Sequence, residues 1–233
     1  MEKEYLASRI KNPLLRDAFY KVNREDFLPE HLRNFAYSEK YSGQPLVIFP
    51  GVTTTALDLG LYMLDSLELS RGQKILEIGT GIGYYTALMA EIANKVVSVE
   101  IHDEMYEYAR KRLNYPNVKL MKRDGTLGYD EDSPYDRVIA WASSPTLLCK
   151  PFEQLKEGGI MVLPIGWRKQ WLYKVKKVNN APVMERLMEV VFMKMRGVYG
   201  FYEEDNDDLE HRVNLLERQL KGLLSRLGFS PQS

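Results

Sequence analysis

A chain of 233 residues that is 45% hydrophobic and 27% charged has the composition of a globular protein with a substantial core. Its 32 basic and 32 acidic residues cancel, so no net charge attracts a phosphate backbone, which disfavours a nucleic-acid partner without excluding one. The single cysteine excludes an internal disulfide, no signal-peptide pattern opens the chain, and no apolar run reaches the ~18 residues of a membrane span. We therefore expect a cytoplasmic protein that has no membrane partner.

The first fifty residues precede any pattern of cofactor binding. Asn12 and Pro13 have the residue types of a helix N-cap and first helical position, and the apolar residues after them follow helical spacing. Residues 36–46 contain turn-forming residues and show little periodicity, which is typical of a long loop. We predict that residues 1–50 are a helical and loop segment that acts as a substrate lid.

Three consecutive hydroxyl side chains precede the next predicted helix. Thr53, Thr54 and Thr55 come directly before a segment, residues 57–67, in which leucines recur at helical spacing. Threonine commonly caps a helix N-terminus. Capping is therefore the favoured interpretation of this pattern alone.

Residues 74–85 are the motif around which the rest of the sequence is organised. A short apolar run predicts a strand buried on both faces, and Gly79, Gly81 and Gly83 follow before a helix begins at Tyr84. Glycine admits positive φ and lets a ligand approach the backbone, while a helix N-terminus offers unpaired N–H groups. The next apolar run ends in Glu100, where an acid can accept hydrogen bonds from a ribose. The pattern predicts a nucleotide-type cofactor site.

Predicted strands and helices then alternate as far as residue 165, with a helix over 147–155 and a strand over 159–165. Two further strands flank a turn at 179–182 and predict a hairpin. The expected fold is α/β and Rossmann-like, a doubly wound and mostly parallel sheet with one antiparallel strand. It carries an N-terminal helical extension and an added C-terminal helix. Right-handed crossovers bring the carboxyl ends of the first and fourth strands to the cofactor crevice.

The glycine spacing separates two classes of cofactor. The pattern E-x-G-x-G-x-G, which begins at Glu77, differs from the dinucleotide fingerprint G-x-G-x-x-G. It resembles motif I of class I S-adenosylmethionine-dependent methyltransferases. An acidic pocket lined by glycine suits a positive sulfonium better than a diphosphate.

The wider series of motifs resembles the protein-L-isoaspartate (D-aspartate) O-methyltransferase family. Its V-L-E-I/V-G-T-G-S-G-Y compares with I-L-E-I-G-T-G-I-G-Y at residues 75–84. Its G-D-G and P-Y-D are matched at 124–125 and 134–136, and its T-A-A-A-P compares with W-A-S-S-P at 141–145. The likeness extends over about residues 14–201.

The resemblance implies a repair enzyme that methylates the free α-carboxylate of L-isoaspartyl and D-aspartyl residues in damaged proteins. S-adenosylmethionine is the implied cofactor, isoaspartyl peptides and proteins are the partners, and we expect no metal. The implied cofactor-binding residues are Glu77, Gly79, Thr80, Gly81, Gly83, Glu100, Ile101, Asp124 and Gly125. The implied catalytic residues are Thr55 and Thr53, and the implied substrate contacts are Glu39, Pro45, Leu46, Val52 and Thr54. A carboxylate is ionised near neutral pH, so the reaction needs hydrogen-bond donors and positioning but no general base.

The chain departs from the family pattern at the threonines and their surroundings. Thr55 keeps the hydroxyl of the family's serine, whereas Val52 replaces a glutamine and Asp58 a histidine. Glu39 replaces an aspartate. These changes leave two alternatives open, which are a methyltransferase acting on RNA or a small molecule and a non-catalytic family member that binds the cofactor.

A heptad pattern follows the region of resemblance. Apolar residues recur at alternating steps of four and three, at Leu209, Val213, Leu216, Leu220, Leu223 and Leu227. This seam predicts an amphipathic helix that either folds back onto its own domain or pairs with other copies. We favour a homo-oligomer, and predict a division into residues 1–50, 51–202 and 203–233.

Overall fold

The computed structural model describes residues 2–201, 217–218 and 221–222. The chain divides into two compact units, Met1–Gly200 and Phe201–Ser233. The predicted boundary at residue 202 lies close to this division, whereas the predicted boundary at residue 50 falls inside the first unit. The tail pattern at 209–227 lies outside the described residues, apart from the two short stretches.

The helices of the first unit are short and lie mainly between strands. The α-helices are α1 (Glu2–Ser8), α2 (Pro13–Lys21), α3 (Glu39–Ser42), α4 (Leu57–Ser66), α5 (Tyr84–Ala90), α6 (Asp103–Arg110) and α7 (Cys149–Glu153). The 3₁₀ turns are Arg24–Asp26, Glu30–Phe35, Gly125–Leu127 and Asp130–Asp132. Asn12 caps α2 as predicted, since its side chain accepts hydrogen bonds from the N–H groups of Leu14 and Leu15. In the described part of the chain, no helix is long and apolar enough to cross a membrane.

The strands form a small hairpin and one large sheet. They are β1 (Val47–Phe49), β2 (Val52–Thr53), β3 (Lys74–Ile78), β4 (Lys95–Glu100), β5 (Val118–Lys122), β6 (Tyr135–Ala140), β7 (Leu155–Ile165), β8 (Gln170–Val178) and β9 (Ala181–Val190). The sheet has the order β5-β4-β3-β6-β7-β8-β9, while β1 pairs with β2. Strands β3 to β7 are parallel and β8 runs against its neighbours. The predicted sheet, with its single reversed strand, is therefore confirmed.

The chain reverses its direction across the sheet between β3 and β6. From β3 the chain moves outward through β4 and β5, and it then returns to pair β6 with β3 on the other side. Ligands of such sheets bind where the strand order reverses, beyond the carboxyl ends of the strands. Strand β3 is buried on both faces, because Ile75 packs in one core cluster and Leu76 and Ile78 pack in the other. The predicted central strand therefore ends at the predicted crevice.

The first fifty residues are built into the same core as the sheet. Buried residues from α1, α2 and the turn after them, including Leu6, Phe19 and Leu28, share one apolar cluster with α4, α5 and β3. Burial of such side chains contributes about 2 kcal/mol each. The N-terminal segment therefore packs as part of the domain, and its role over a substrate stays a prediction.

Two element boundaries differ from the sequence prediction. Helix α7 covers only Cys149–Glu153, and β7 begins at Leu155, four residues before the predicted start of this strand at residue 159. The hairpin turn consists of Asn179 and Asn180, whose φ angles are 50° and 62°. Two positive φ values in a two-residue loop match the right-handed twist of a hairpin.

Candidate functional site

The glycine turn after β3 has a backbone that disfavours other residues. Gly79, Gly81 and Gly83 have φ angles of 90°, 56° and 88°. The left-handed region costs a residue with a Cβ roughly 1 kcal/mol or more. The N–H of Gly79 donates to the carbonyl of Val99 at 2.8 Å, which ties the turn to β4. The turn thus presents main chain without side chains at the carboxyl end of the sheet.

Glu100 fixes the same turn from the end of β4. Its Oε2 accepts from the N–H of Gly81 at 3.0 Å, and its Oε1 accepts from the N–H groups of Ile101 and His102 at 2.9 Å each. The side chain is 4% exposed and lines the cleft. A carboxylate has about four acceptor positions, and three are used here, so Glu100 can still accept from a ligand hydroxyl.

Glu77 lies beneath the turn and is completely buried. Its Oε2 accepts from Thr86 Oγ1 at 2.5 Å and Ser98 Oγ at 2.6 Å, and its Oε1 accepts from Trp141 Nε1 at 2.8 Å. Burial raises the pKa of Glu77 to about 7, although these three hydrogen bonds act in the opposite direction. Glu77 therefore supports the turn from below and is not part of the cleft wall.

The threonines form a loop on the opposite wall of the cleft. The N–H of Thr54 donates to the carbonyl of Leu46 at 2.8 Å, and Thr54 Oγ1 donates to the carbonyl of Thr55 at 3.1 Å. We call residues 53–55 the threonine loop. The prediction that a threonine caps α4 is wrong, because the N-cap is Ala56 and no side chain caps the helix. The loop remains extended since its backbone pairs with residues 46–47.

Tyr85 and Trp141 connect the glycine turn with the threonine loop. Their rings are stacked, with centroids 4.5 Å apart and an interplanar angle of 20°. The hydroxyl of Tyr85 is 3.3 Å from the carbonyl of Thr55 and 3.2 Å from that of Ala56, to which it donates. A hydrogen bond from Trp141 to Glu77 completes the connection. Contacts thus run without a break from the cofactor side of the cleft to the threonines.

One cleft contains most of the predicted site residues. Its walls include Val52, Thr53, Thr54, Thr55, Gly79, Thr80, Gly81, Glu100, Ile101 and Gly125. Sequence reasoning missed Ile78, Ile82, Tyr84, Tyr85, Val99, His102, Met105, Trp141, Ala142 and residues 193–196. The last segment reaches the cleft because the N–H of Ser143 donates to the carbonyl of Met193, and the N–H of Met195 donates to that of Ser143, both at 2.8 Å. Such long-range pairing has no local sequence signal.

Trp141 and Tyr85 did have signals in the sequence. Trp141 stands where the family pattern T-A-A-A-P begins, which marks the carboxyl end of β6. Gly60 lies inside helix α4, and a Cβ there would lie 2.1 Å from the ring of Tyr85. A glycine inside a helix costs about 1 kcal/mol relative to alanine, so it indicates close packing.

Several predicted residues lie outside the cleft wall. Glu39 and Pro45 are exposed in the segment before β1, and Leu46 is buried, where its carbonyl holds the threonine loop. Gly83 begins α5 beneath Leu113, whose Cγ would be 3.0 Å from an added Cβ. Direct contact of these residues with a ligand stays a prediction.

The side chain of Asp124 is engaged by protein groups. Its Oδ1 accepts from the N–H of Thr126 at 2.8 Å and from Thr126 Oγ1 at 2.7 Å, and its Oδ2 accepts from the N–H of Val198 at 2.7 Å. Asp124 therefore caps the turn at Gly125 and fixes the segment at 197–198. Gly125 itself lines the cleft.

Two of the departures from the family pattern, Val52 and Asp58, differ in position. Val52 lines the cleft, whereas Asp58 lies in the first turn of α4, away from it. Asp58 Oδ2 accepts from Ser42 Oγ at 3.0 Å and forms an ion pair with Arg9 at 3.3 Å. Asp58 thus joins α4 to α3 and to the end of α1, and of these two residues only Val52 lines the cleft. No group of three or more metal-ligating side chains occurs among the described residues.

A parallel sheet with a left-handed glycine turn after its central strand, an acid at the end of the next strand and the spacing E-x-G-x-G-x-G from Glu77 are together typical of a class I methyltransferase. The chain belongs to the protein-L-isoaspartate(D-aspartate) O-methyltransferase family, whose sequence model matches residues 1–198. The resemblance found in the motifs is thus confirmed over most of the chain.

Relatives and solved structures agree with this assignment. A Methanothrix thermoacetophila protein named protein-L-isoaspartate O-methyltransferase is 41% identical over 210 residues, covering 86% of this chain and 98% of the relative. A Methanococcus maripaludis protein of that name is 39% identical over 198 residues, covering 82% and 92%. A solved protein-L-isoaspartate O-methyltransferase shares 28% identity and a TM-score of 0.76 over 94% of this chain and 69% of its own. A Plasmodium falciparum protein solved with S-adenosyl-L-homocysteine, 22% identical with a TM-score of 0.72 over 84% of this chain and 96% of its own, has the same fold.

Proposed function

We propose that this protein is a repair enzyme that methylates the free α-carboxylate of L-isoaspartyl and D-aspartyl residues in damaged peptides and proteins. The observation that carries the proposal is the cleft between the glycine turn and the threonine loop, in a chain of this family. One wall offers bare backbone and an acid, and the other offers hydroxyl groups. These are the groups needed for a cofactor and an anionic substrate.

S-adenosylmethionine fits the cofactor wall. The positive φ values at Gly79 and Gly81 leave the turn without side chains, and Glu100 has acceptor capacity toward the cleft. When bound, S-adenosylmethionine supplies a methyl group from its sulfonium, and the sulfur keeps the bonding electron pair as a carboxylate oxygen takes up the methyl. We assign the ribose hydroxyls to Glu100 and the adenine edge to Gly125, with Ile101 and Thr80 beside them.

The threonine loop is the proposed substrate wall. Thr53 and Thr55 both line the cleft and can donate hydroxyl hydrogen bonds to a carboxylate. The carboxylate is ionised at neutral pH, so these donors orient it without removing a proton. Orientation and exclusion of water lower the barrier of such a transfer by several kcal/mol. Val52 and Thr54 complete this wall.

Labelled S-adenosylmethionine and paired peptides test the activity. The two peptides have one sequence and differ only in an isoaspartyl or an ordinary aspartyl linkage. We expect label on the isoaspartyl peptide alone. Equal labelling of both peptides, or labelling of an RNA or a small molecule instead, would refute the proposed substrate, and cofactor binding without transfer would indicate a non-catalytic protein.

Thr55 is the proposed catalytic hydroxyl, and two variants test it. Thr55→Val removes the donor, whereas Thr55→Ser keeps it, so we expect kcat/KM for the isoaspartyl peptide to fall about 10- to 100-fold in the first variant only. Cofactor affinity, measured by calorimetry, serves as the control for folding. Equal activity of both variants would move the catalytic role to Thr53 or to backbone groups.

Two wider properties are also proposed. The single cysteine supports residence in the reducing cytoplasm. The heptad pattern at 209–227 supports a homo-oligomer assembled through the C-terminal helix. The alternative for this pattern is a helix that folds back onto its own domain.

A further inference from the structure

A buried cation lies directly behind the threonine loop. Arg24 is 1% exposed although it belongs to a short 3₁₀ turn. Its Nη1 donates to the carbonyl of Ala36 at 2.8 Å, and its Nη2 donates to Thr54 Oγ1 at 3.4 Å. Its Nε is buried and has no hydrogen-bond partner among the described residues. The guanidinium lies 5.9 Å from the ring centroid of Tyr84.

Within the described part of the chain, no ion pair balances the charge of Arg24. The neighbouring acid, Glu25, forms no salt bridge with it, and Glu25 Oε2 is itself buried without a hydrogen-bond partner among the described residues. The two nearby phenols, Tyr37 and Tyr84, are neutral, because burial raises the pKa of each above its ordinary value. A buried charge that forms no salt bridge is costly, and an anionic substrate group in the cleft would offset part of that cost.

The position of Arg24 connects it with the cleft wall. Thr54 Oγ1 accepts from Arg24 and donates to the carbonyl of Thr55. Thr54 and Tyr84, the two side chains that contact the guanidinium on this side, both line the cleft. Arg24 is therefore one layer of residues behind the wall that carries the proposed substrate hydroxyls. In a poorly hydrated interior, a charge acts strongly across such a distance.

We propose that Arg24 is a positioning residue that fixes the threonine loop through Thr54 and makes the cleft selective for an anionic substrate group. The inference rests on the proposed function, in which that group is the α-carboxylate of an isoaspartyl residue. Arg24 does not touch the substrate. Its positive field favours the ionised carboxylate over a neutral group of the same shape.

The test compares two peptides that differ only at this group. One carries the isoaspartyl α-carboxylate and the other the neutral α-carboxamide, and the affinity of each is measured with S-adenosyl-L-homocysteine bound. We expect the wild-type protein to bind the acid at least ten-fold more tightly than the amide. Arg24→Met should reduce this ratio to near one, and Arg24→Lys, which keeps the charge, should retain most of it. Arg33→Met, which removes an exposed arginine from the next turn, should leave the ratio unchanged.

A purely structural role gives a different result. If Arg24→Met weakens the binding of both peptides equally, so that the ratio of acid to amide affinity is unchanged, the proposal is wrong. If that variant does not fold, Thr54→Val decides, because it removes the hydroxyl between Arg24 and the loop and should lower the ratio about three-fold or more with unchanged cofactor affinity. An unchanged ratio in Thr54→Val would contradict the proposal. Failure of the wild-type protein to methylate the acid peptide concerns the proposed function instead.

Discussion

At the scale of single residues, the two acids of the cofactor side have opposite environments. Glu100 receives three backbone N–H groups and lies at the cleft, while Glu77 is enclosed in the core beneath the turn. Burial disfavours the charged form of Glu77 and raises its pKa. Glu100 is thus suited to a ligand, and Glu77 to the support of the backbone.

The pKa of Glu77 makes stability depend on pH. Its folded pKa of about 7 exceeds the ordinary value of 4.5, so the folded state binds a proton more tightly than the unfolded state. The contribution of Glu77 to stability is therefore complete below pH 4.5 and declines until about pH 7, by at most roughly 3 kcal/mol. We expect the free energy of unfolding of the wild type, measured relative to that of Glu77→Gln, to decrease as the pH rises from about 4.5 to about 7.

Urea unfolding of both proteins from about pH 4.5 to 8 measures this difference. The substitution also alters hydrogen bonds with Trp141, Thr86 and Ser98, but that loss adds a constant offset and no slope. A difference that is flat across this range would show that Glu77 is ionised throughout.

Glu100→Ala tests the ribose assignment. The loss of one or two charge-assisted hydrogen bonds should weaken the binding of S-adenosylmethionine by about 1–3 kcal/mol in calorimetry. Glu104→Ala removes an exposed acid from the first turn of α6 and is the matched control. If Glu100→Ala leaves the dissociation constant of S-adenosylmethionine unchanged, the role of Glu100 is only to hold the turn at Gly81.

At the scale of elements, the threonine loop depends on α5 for its position. Tyr85→Phe keeps the ring that stacks on Trp141 but removes the hydroxyl that donates to the carbonyls of Thr55 and Ala56. We expect stability to fall by about 1 kcal/mol and KM for the isoaspartyl peptide to rise several-fold, with cofactor affinity retained. Tyr62→Phe, at a partly exposed position of α4, controls for loss of a hydroxyl. Equal KM values in the two variants would show that the loop does not need this hydrogen bond.

Elements formed by local interactions were predicted from the sequence, whereas features that depend on contacts between distant segments were not. The central strand, its glycine turn and Glu100 were predicted because buried strands and turns have local residue patterns. The threonine cap was predicted wrongly, since pairing with β1 competes with capping and involves a separate segment. The approach of residues 193–196 to the cleft depends on pairing with Ser143, about fifty residues earlier, which no local pattern indicates.

At the scale of the whole molecule, the tail is the part that the family match does not include. The match ends at residue 198, and the second unit begins at Phe201. We expect the full chain to sediment as an oligomer and a chain ending at Tyr202 to sediment as a monomer. A full-length variant with Leu216→Asn and Leu223→Asn should resemble the short chain, because polar residues in the seam oppose pairing. If all three proteins have a monomeric mass, the tail does not assemble the protein, and the alternative of a helix that folds back onto its own domain is favoured.

The stacking of Trp141 on Tyr85 also gives the protein a built-in optical probe. The chain has three tryptophans, and the other two, Trp167 and Trp171, lie against cationic side chains of the region around β8. Of the three, Trp141 alone lines the cleft. The part of the tryptophan fluorescence that is lost in Trp141→Phe comes from Trp141. A change in this part when a ligand is added will therefore report on ligands entering the cleft, without a label on enzyme or substrate.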